Sequence, residues 1–234
     1  SGKAWAQFGM GGPPKKTFSP VKADAGRIGC DVCEAMVRES WAQAEALHVA
    51  AEPAKLEEEK VHDLLENLCS PKATEGRWIT RMDLVSSKTL SSEEAKNVVG
   101  DTTRLQPGKE YLLLLQHPQY GHCERECETV SKTCHDLADK ELDMDGLAVA
   151  LWQREAEPDA LVAQLCTDVC PRKPITKKRK DYKFRPKTDQ EAKMDELMAT
   201  LEASGMGGMN MYSRDDMEGM LDEYGDQLGA GGEL

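Results

Sequence analysis

Residues 28–34 read IGCDVCE, and residues 161–170 read LVAQLCTDVC. Cys30 and Cys33 lie one helical turn apart, and so do Cys166 and Cys170, so each stretch presents two sulfurs on one face. If the two stretches lie side by side and antiparallel, two rungs form, Cys30 to Cys170 and Cys33 to Cys166. Each rung closes a loop of more than a hundred residues, worth on the order of 4–5 kcal/mol in the chain-entropy picture. The segment between them, residues 28–171, is long enough to bury about two-thirds of its unfolded surface, so it has no need of staples in order to fold. Eight cysteines therefore indicate an oxidising compartment.

The bracketed segment reads as helical. Cys30, Cys33, Val37, Trp41 and Ala44 recur at spacings of three and four, giving a first helix from about 29 to 50. Pro53 breaks it, and Leu56, Val61, Leu64, Leu65, Leu68 and Cys69 mark a second helix. Alternation in Trp78, Thr80, Met82 and Leu84, with an apolar run at Tyr111–Gln116, predicts a β-hairpin inserted over 78–116. Helical periodicity returns at Glu124–Lys140, Met144–Trp152 and Pro158–Val169.

Cys69 then needs a partner among Cys123, Cys127 and Cys134. In a continuous helix Cys123 and Cys134 lie about 16 Å apart, whereas Cys123 and Cys127 lie about 6 Å apart. This favours Cys69–Cys134 with Cys123–Cys127. Cys69–Cys127 stays open as an alternative, and requires a helix break that lets Cys123 reach Cys134.

Outside the bracket the composition changes. Residues 1–27 mix Gly, Pro and Lys and read as an extended arm. Residues 172–187 hold nine Lys or Arg against one Asp, and 188–234 hold two against twelve acids, within a chain of net charge −12. The basic stretch reads as a linker that touches acidic surface, and the rest as an acidic tail with one or two short helices. Seven of the eleven methionines lie from Met194 onward. Met194, Leu197, Met198 and Leu201 share a face of an amphipathic helix over 188–203, and a last helix starts near Ser213 and carries Met217. Such Met-rich faces suit adaptable partner surfaces, so Met194, Leu197, Met198, Leu201, Tyr212 and Met217 are candidate partner-binding residues.

Several sharper chemistries are weighed and set aside. Cys30-Asp31-Val32-Cys33 has the spacing of a thiol–disulfide exchange motif, but such a motif pairs within itself, and here Cys166 and Cys170 offer structural partners. The two CxxxC units at 123–127 and 166–170 are separated by 38 residues, too many for a short helical hairpin. His117, His122 and His135 near the cysteine cluster invite zinc, yet paired cysteines leave few thiolates, and no metal or cofactor is expected. Lys177-Lys178-Arg179-Lys180, with Tyr182 and Phe184, has the look of a nucleic-acid patch, but a disulfide-framed chain would not normally meet nucleic acid. No nucleophile, general base or phosphate loop assembles, so no enzyme activity is expected. No stretch approaches the roughly 20 apolar residues of a membrane span, and Ser1–Gly12 lacks the pattern of a signal peptide, so a signal already removed near Ser1 is the expectation.

The cysteine order resembles a family. A CxxC, a lone Cys ending an amphipathic helix, a helical Cys and then LCxxxC make up the saposin-like frame, whose six positions match Cys30, Cys33, Cys69, Cys134, Cys166 and Cys170. IGCDVCE, LLENLC at 64–69 and LVAQLC at 161–166 resemble the Canopy, or MIR-interacting saposin-like, family. The Cys123/Cys127/Cys134 spacing and MYSRDDM at 211–217 resemble its plant and algal branch. The resemblance implies a mainly α, disulfide-framed saposin-like bundle of four to five helices with a small inserted hairpin and extended N- and C-terminal arms. It also implies a protein of the endoplasmic reticulum lumen or the extracellular space. Animal relatives act as co-chaperones or adaptors for receptors, including Toll-like receptors, and some end in a retention tetrapeptide such as HDEL; here Gly231–Leu234 keeps only the final Glu-Leu. The expected function is a non-enzymatic co-chaperone or adaptor that binds protein clients or membrane-receptor ectodomains. The alternatives are a saposin-type lipid-binding protein and a secreted structural subunit of a larger assembly that orders the arms.

Overall fold

The computed structural model describes residues 17–203 apart from positions 101, 104, 155 and 178, with side chains as far as residue 200. The chain divides after Ala192 into two compact units. The elements of the first are α1 (Lys22–Ala51), α2 (Glu58–Asn67), β1 (Met82–Ser86), β2 (Leu112–Gln116), α3 (Arg125–Lys140), α4 (Met144–Gln153) and α5 (Pro158–Leu165). A further helix, α6 (Asp189–Ala203), begins in the first unit and continues into the second. The described chain is thus mainly helical with one two-stranded antiparallel sheet.

The central helix is α1, which packs on α3, α5 and β2. Ile28, Val32, Met36 and Val37 are wholly buried, and with Val61, Leu68, Leu84, Leu114, Val130 and Leu147 they form one continuous core. Three tryptophans tie connecting segments to that core by donating from Nε1: Trp41 to the Ala156 carbonyl (3.2 Å), Trp78 to Leu68 (2.9 Å) and Trp152 to Leu56 (3.0 Å). No helix among the described residues is long and apolar enough to cross a membrane.

The hairpin pairs Met82 with Gln116, Leu84 with Leu114 and Ser86 with Leu112. Leu112–Leu115 are all buried, because β2 is covered on both faces. Its outer edge is closed as well. The Val99 N–H donates to the Leu114 carbonyl at 2.8 Å, and the Leu114 N–H donates to Asp31 Oδ2 at 3.2 Å. An edge that would otherwise expose unpaired backbone groups is therefore capped by a buried carboxylate.

The structure corrects three boundaries. Helix α1 starts at Lys22, seven residues before the expected start, so Lys22–Arg27 belong to the helix and not to an arm. The stretch expected to open the first strand is a 3-10 helix over Arg77–Arg81, in which Trp78, Ile79 and Thr80 are consecutively buried. Gly76 permits that turn, since a Cβ there would lie 2.0 Å from the Ser70 carbonyl oxygen. Helix α5 ends at Leu165, so Cys166 caps it and Cys170 lies in the turn beyond, where Pro171 disfavours further helix. Cys123 precedes the N-cap Glu124 of α3, in line with the helix expected from Glu124.

Four disulfides join Cys30–Cys170, Cys33–Cys166, Cys69–Cys134 and Cys123–Cys127. These are the pairs that helix spacing favours, and Cys69–Cys127 is not formed. The first two rungs tie α1 to the end of α5, the third ties the end of α2 to α3, and the fourth pins the first turn of α3 to the residue before its cap.

Candidate functional site

Every cysteine is in a bridge, so the CxxC of α1 carries no thiol and pairs outward with Cys166 and Cys170. The three histidines that suggested zinc are not gathered. His117 meets Asp83 Oδ2 at 3.3 Å and stacks on Phe184 at 3.8 Å; His122 faces Glu191 at 3.7 Å; His135 is exposed on α3. Among the described residues the donor group that does converge is Cys30, Glu34 and Cys170, whose two sulfurs are bonded to each other.

The basic stretch 172–187 is not a free linker. It runs along the domain as a strap, bridged to Tyr111 at Pro174 and to Gly121 at Pro186. Gly121 is required there, because a Cβ would come within 2.6 Å of the Phe184 ring. Two of its arginines are buried on carboxylates of α1 and α3. Arg172 Nε donates to Asp31 Oδ1, with the two side chains only 7% and 0% exposed. Arg179 donates to Asp24 (2.8 Å), to Glu126, and from Nη1 to the Leu84 carbonyl (3.1 Å). Glu126 in turn accepts the Leu84 N–H at 3.2 Å and is hydrogen-bonded to Asp83. These residues lie in four separate parts of the chain, and nothing in local periodicity announces their meeting. One signal was readable: Asp31 falls on a helix whose neighbouring positions are apolar, and a buried acid there calls for a cation.

Burial dominates the titration of two of these acids. Desolvation outweighs the Arg172 guanidinium and the Leu114 N–H, and pushes the Asp31 carboxyl up to about 7. Desolvation and the neighbouring Asp83 hold Glu126 well above the usual carboxylate range, against the pull of Arg179. A carboxyl whose folded-state pKa is raised binds its proton more tightly when folded. Its contribution to stability is fully present below the unfolded value near 4 and is lost as pH rises through about 7 for Asp31. The expected result is a midpoint of urea denaturation that falls from pH 4.5 to pH 7.5. Asp31→Asn should flatten that fall, and an unchanged slope in this variant would show that Asp31 is not its source.

Two cavities flank the Cys30–Cys170 bridge. One, of about 580 Å³, is lined by Leu105 and Tyr111 of the insertion, Val162 and Ala163 of α5, and Pro171 and Pro174 of the strap. Glu34, Lys109 and Asp159 add charge of both signs to its lining. The other, of about 620 Å³, lies toward α3, and charged groups, among them Lys22, Arg27, Asp136 and Lys173, share its lining with apolar ones such as Leu137 and Val169. Neither assembles a nucleophile beside a base.

On α6, Met194 and Leu197 are exposed, at 54% and 48%, and Met198 is half-buried. Large hydrophobics this exposed are few among the described residues, the others being Val49 and Val149. The Leu201 side chain, Tyr212 and Met217 lie outside the described residues. No family model, curated protein or solved structure matches this chain.

Proposed function

We propose that the chain is a saposin-like protein of the Canopy kind, which works without catalysis in the endoplasmic reticulum lumen or outside the cell. In this reading it is a co-chaperone or adaptor for protein clients or membrane-receptor ectodomains. The observation that carries the proposal is the pair Met194 and Leu197, one helical turn apart and half exposed in a chain that is 31% charged. Exposed apolar side chains at i and i+3 are the anchors by which one helix enters a partner's groove. Four disulfides fit an oxidising luminal or extracellular setting.

Met194→Asp/Leu197→Asp is the test, with the full chain crosslinked in its native compartment and its partners quantified by mass spectrometry. The ectodomain or client set captured by the wild type is expected to fall about tenfold or more, as for loss of a buried anchor. An undiminished set would overturn the role of α6. Co-sedimentation of the chain with vesicles at acid and neutral pH tests the lipid-carrying alternative, and strong co-sedimentation would replace the adaptor reading.

A further inference from the structure

The outer side of the strap is chemically unlike the side that faces the domain. Arg172, Arg179, Tyr182 and Phe184 are turned inward or half-buried, while Lys177, Lys180 and Lys183 are exposed. Two acids of this region are engaged by arginines. Asp181, the one acid of the segment, pairs with Arg179 Nη1 at 3.1 Å, and Glu124 pairs with Arg185 at 3.4 Å. Lys177, Lys180 and Lys183 make no ion pair among the described residues. Lys180 Nζ lies 5.4 Å from the centre of the Tyr182 ring, and Arg125 approaches the same ring at 5.7 Å. The positive charge is thus left unneutralised on an acidic protein, beside an aromatic ring already set between two cations.

The strap is also held at two points. Residues 179–185 form neither helix nor turn, and isolated β-bridges fix the strap at Pro174 and Pro186. Lys177, at a bend, and Lys180 and Lys183 lie between those two points. Several unpaired cations on one held segment match a polymer that repeats its negative charge, and a single anion would satisfy only one position. The four disulfides place the chain where nucleic acid is not the available polyanion. A membrane surface is disfavoured too, because the aromatic groups of the strap are turned toward the domain and offer nothing for insertion.

We propose that Lys177, Lys180 and Lys183 on the outer side of the strap form a binding track for a linear sulfated polysaccharide, distinct from the apolar face of α6. Sulfate esters stay ionised throughout the pH range of secretory and extracellular compartments, so the track holds its ligand without any titration of the polymer. Binding by charge neutralisation releases counterions, and its affinity falls with salt in proportion to the contacts made.

Heparin, as a sulfated probe, decides the matter when its binding to the full chain is measured by calorimetry across a salt series. Hyaluronan, polyglutamate, single-stranded DNA and anionic vesicles serve as comparison probes. The wild type is expected to bind heparin at about 0.1 M salt, and Lys177→Gln/Lys180→Gln/Lys183→Gln to weaken it about a hundredfold and lower the salt slope by about two to three. A control, Lys55→Gln/Lys60→Gln/Lys72→Gln, removes the same charge from exposed positions elsewhere and is expected to leave heparin binding unchanged. Equal weakening in both triple variants would overturn the track in favour of net charge alone. Tighter binding of DNA, polyglutamate, vesicles or unsulfated hyaluronan would overturn the sulfated ligand, and no heparin binding at low salt would overturn the proposal outright.

Discussion

Removing the Cys30–Cys170 bridge by paired serine substitution is expected to cost the folded state about 2–3 kcal/mol, while removing both end rungs is expected to cost about 7–8 kcal/mol. The difference comes from topology. Cys33–Cys166 closes almost the same loop, with a sequence separation of 133 against 140. While one rung remains, the other restrains only the small ring made by residues 30–33 and 166–170, and the large loop entropy is lost only when both are absent. The two deletions should therefore be worse together than the sum of their separate effects, by about 2–3 kcal/mol. Equilibrium denaturation of the two single-bridge variants and the double variant measures this coupling. Strict additivity would show that the unfolded chain is not restrained in the manner the nested loops require.

Arg172→Met is expected to destabilise the chain by about 1–3 kcal/mol at pH 7.5, because it removes the donor to Asp31 Oδ1 and to the Val99 carbonyl beside the covered edge of β2. Asp31→Asn in the same background should recover most of that loss, since asparagine still accepts the Leu114 N–H and brings no charge. The penalty of Arg172→Met should also shrink below pH 7, where the Asp31 carboxyl takes up its proton. Denaturant midpoints at pH 5 and pH 7.5 test each step. A loss below about 1 kcal/mol in the single variant would mean that water, and not Arg172, solvates Asp31.

The parts of this architecture that sequence discloses are those in which a single helix or strand decides the outcome. Cys30 and Cys33 share a face because of helical spacing, and Leu112–Leu115 is too uniformly apolar for a strand with a wet side. The Trp78–Arg81 turn reads as strand from sequence because Trp78, Thr80 and Met82 alternate by accident, while Ile79 between them is just as buried. The strap was harder still. Lys177, Arg179 and Lys183 look alike as letters, and only the distant Asp24 and Glu126 make Arg179 an anchor and leave the lysines outside. The candidate binding face on α6 was legible as an amphipathic pattern, whereas the cavities beside Cys30–Cys170 are built from segments that meet only in three dimensions.

The nested rungs have a mechanical meaning as well. Tension applied through the segments that flank the bracket passes from Cys30 to Cys170 across a single covalent bond between sulfurs, and the residues between those positions carry none of it. Pulling would peel away the strap, with Arg179 and Phe184, and the first turns of α1, and would then stop. A cut in the exposed stretch Lys88–Glu94 would likewise leave both pieces joined, through the two end rungs and through Cys69–Cys134. The chain is built as a closed shackle: its flanking arms can be tugged, bound or trimmed while the core keeps its shape.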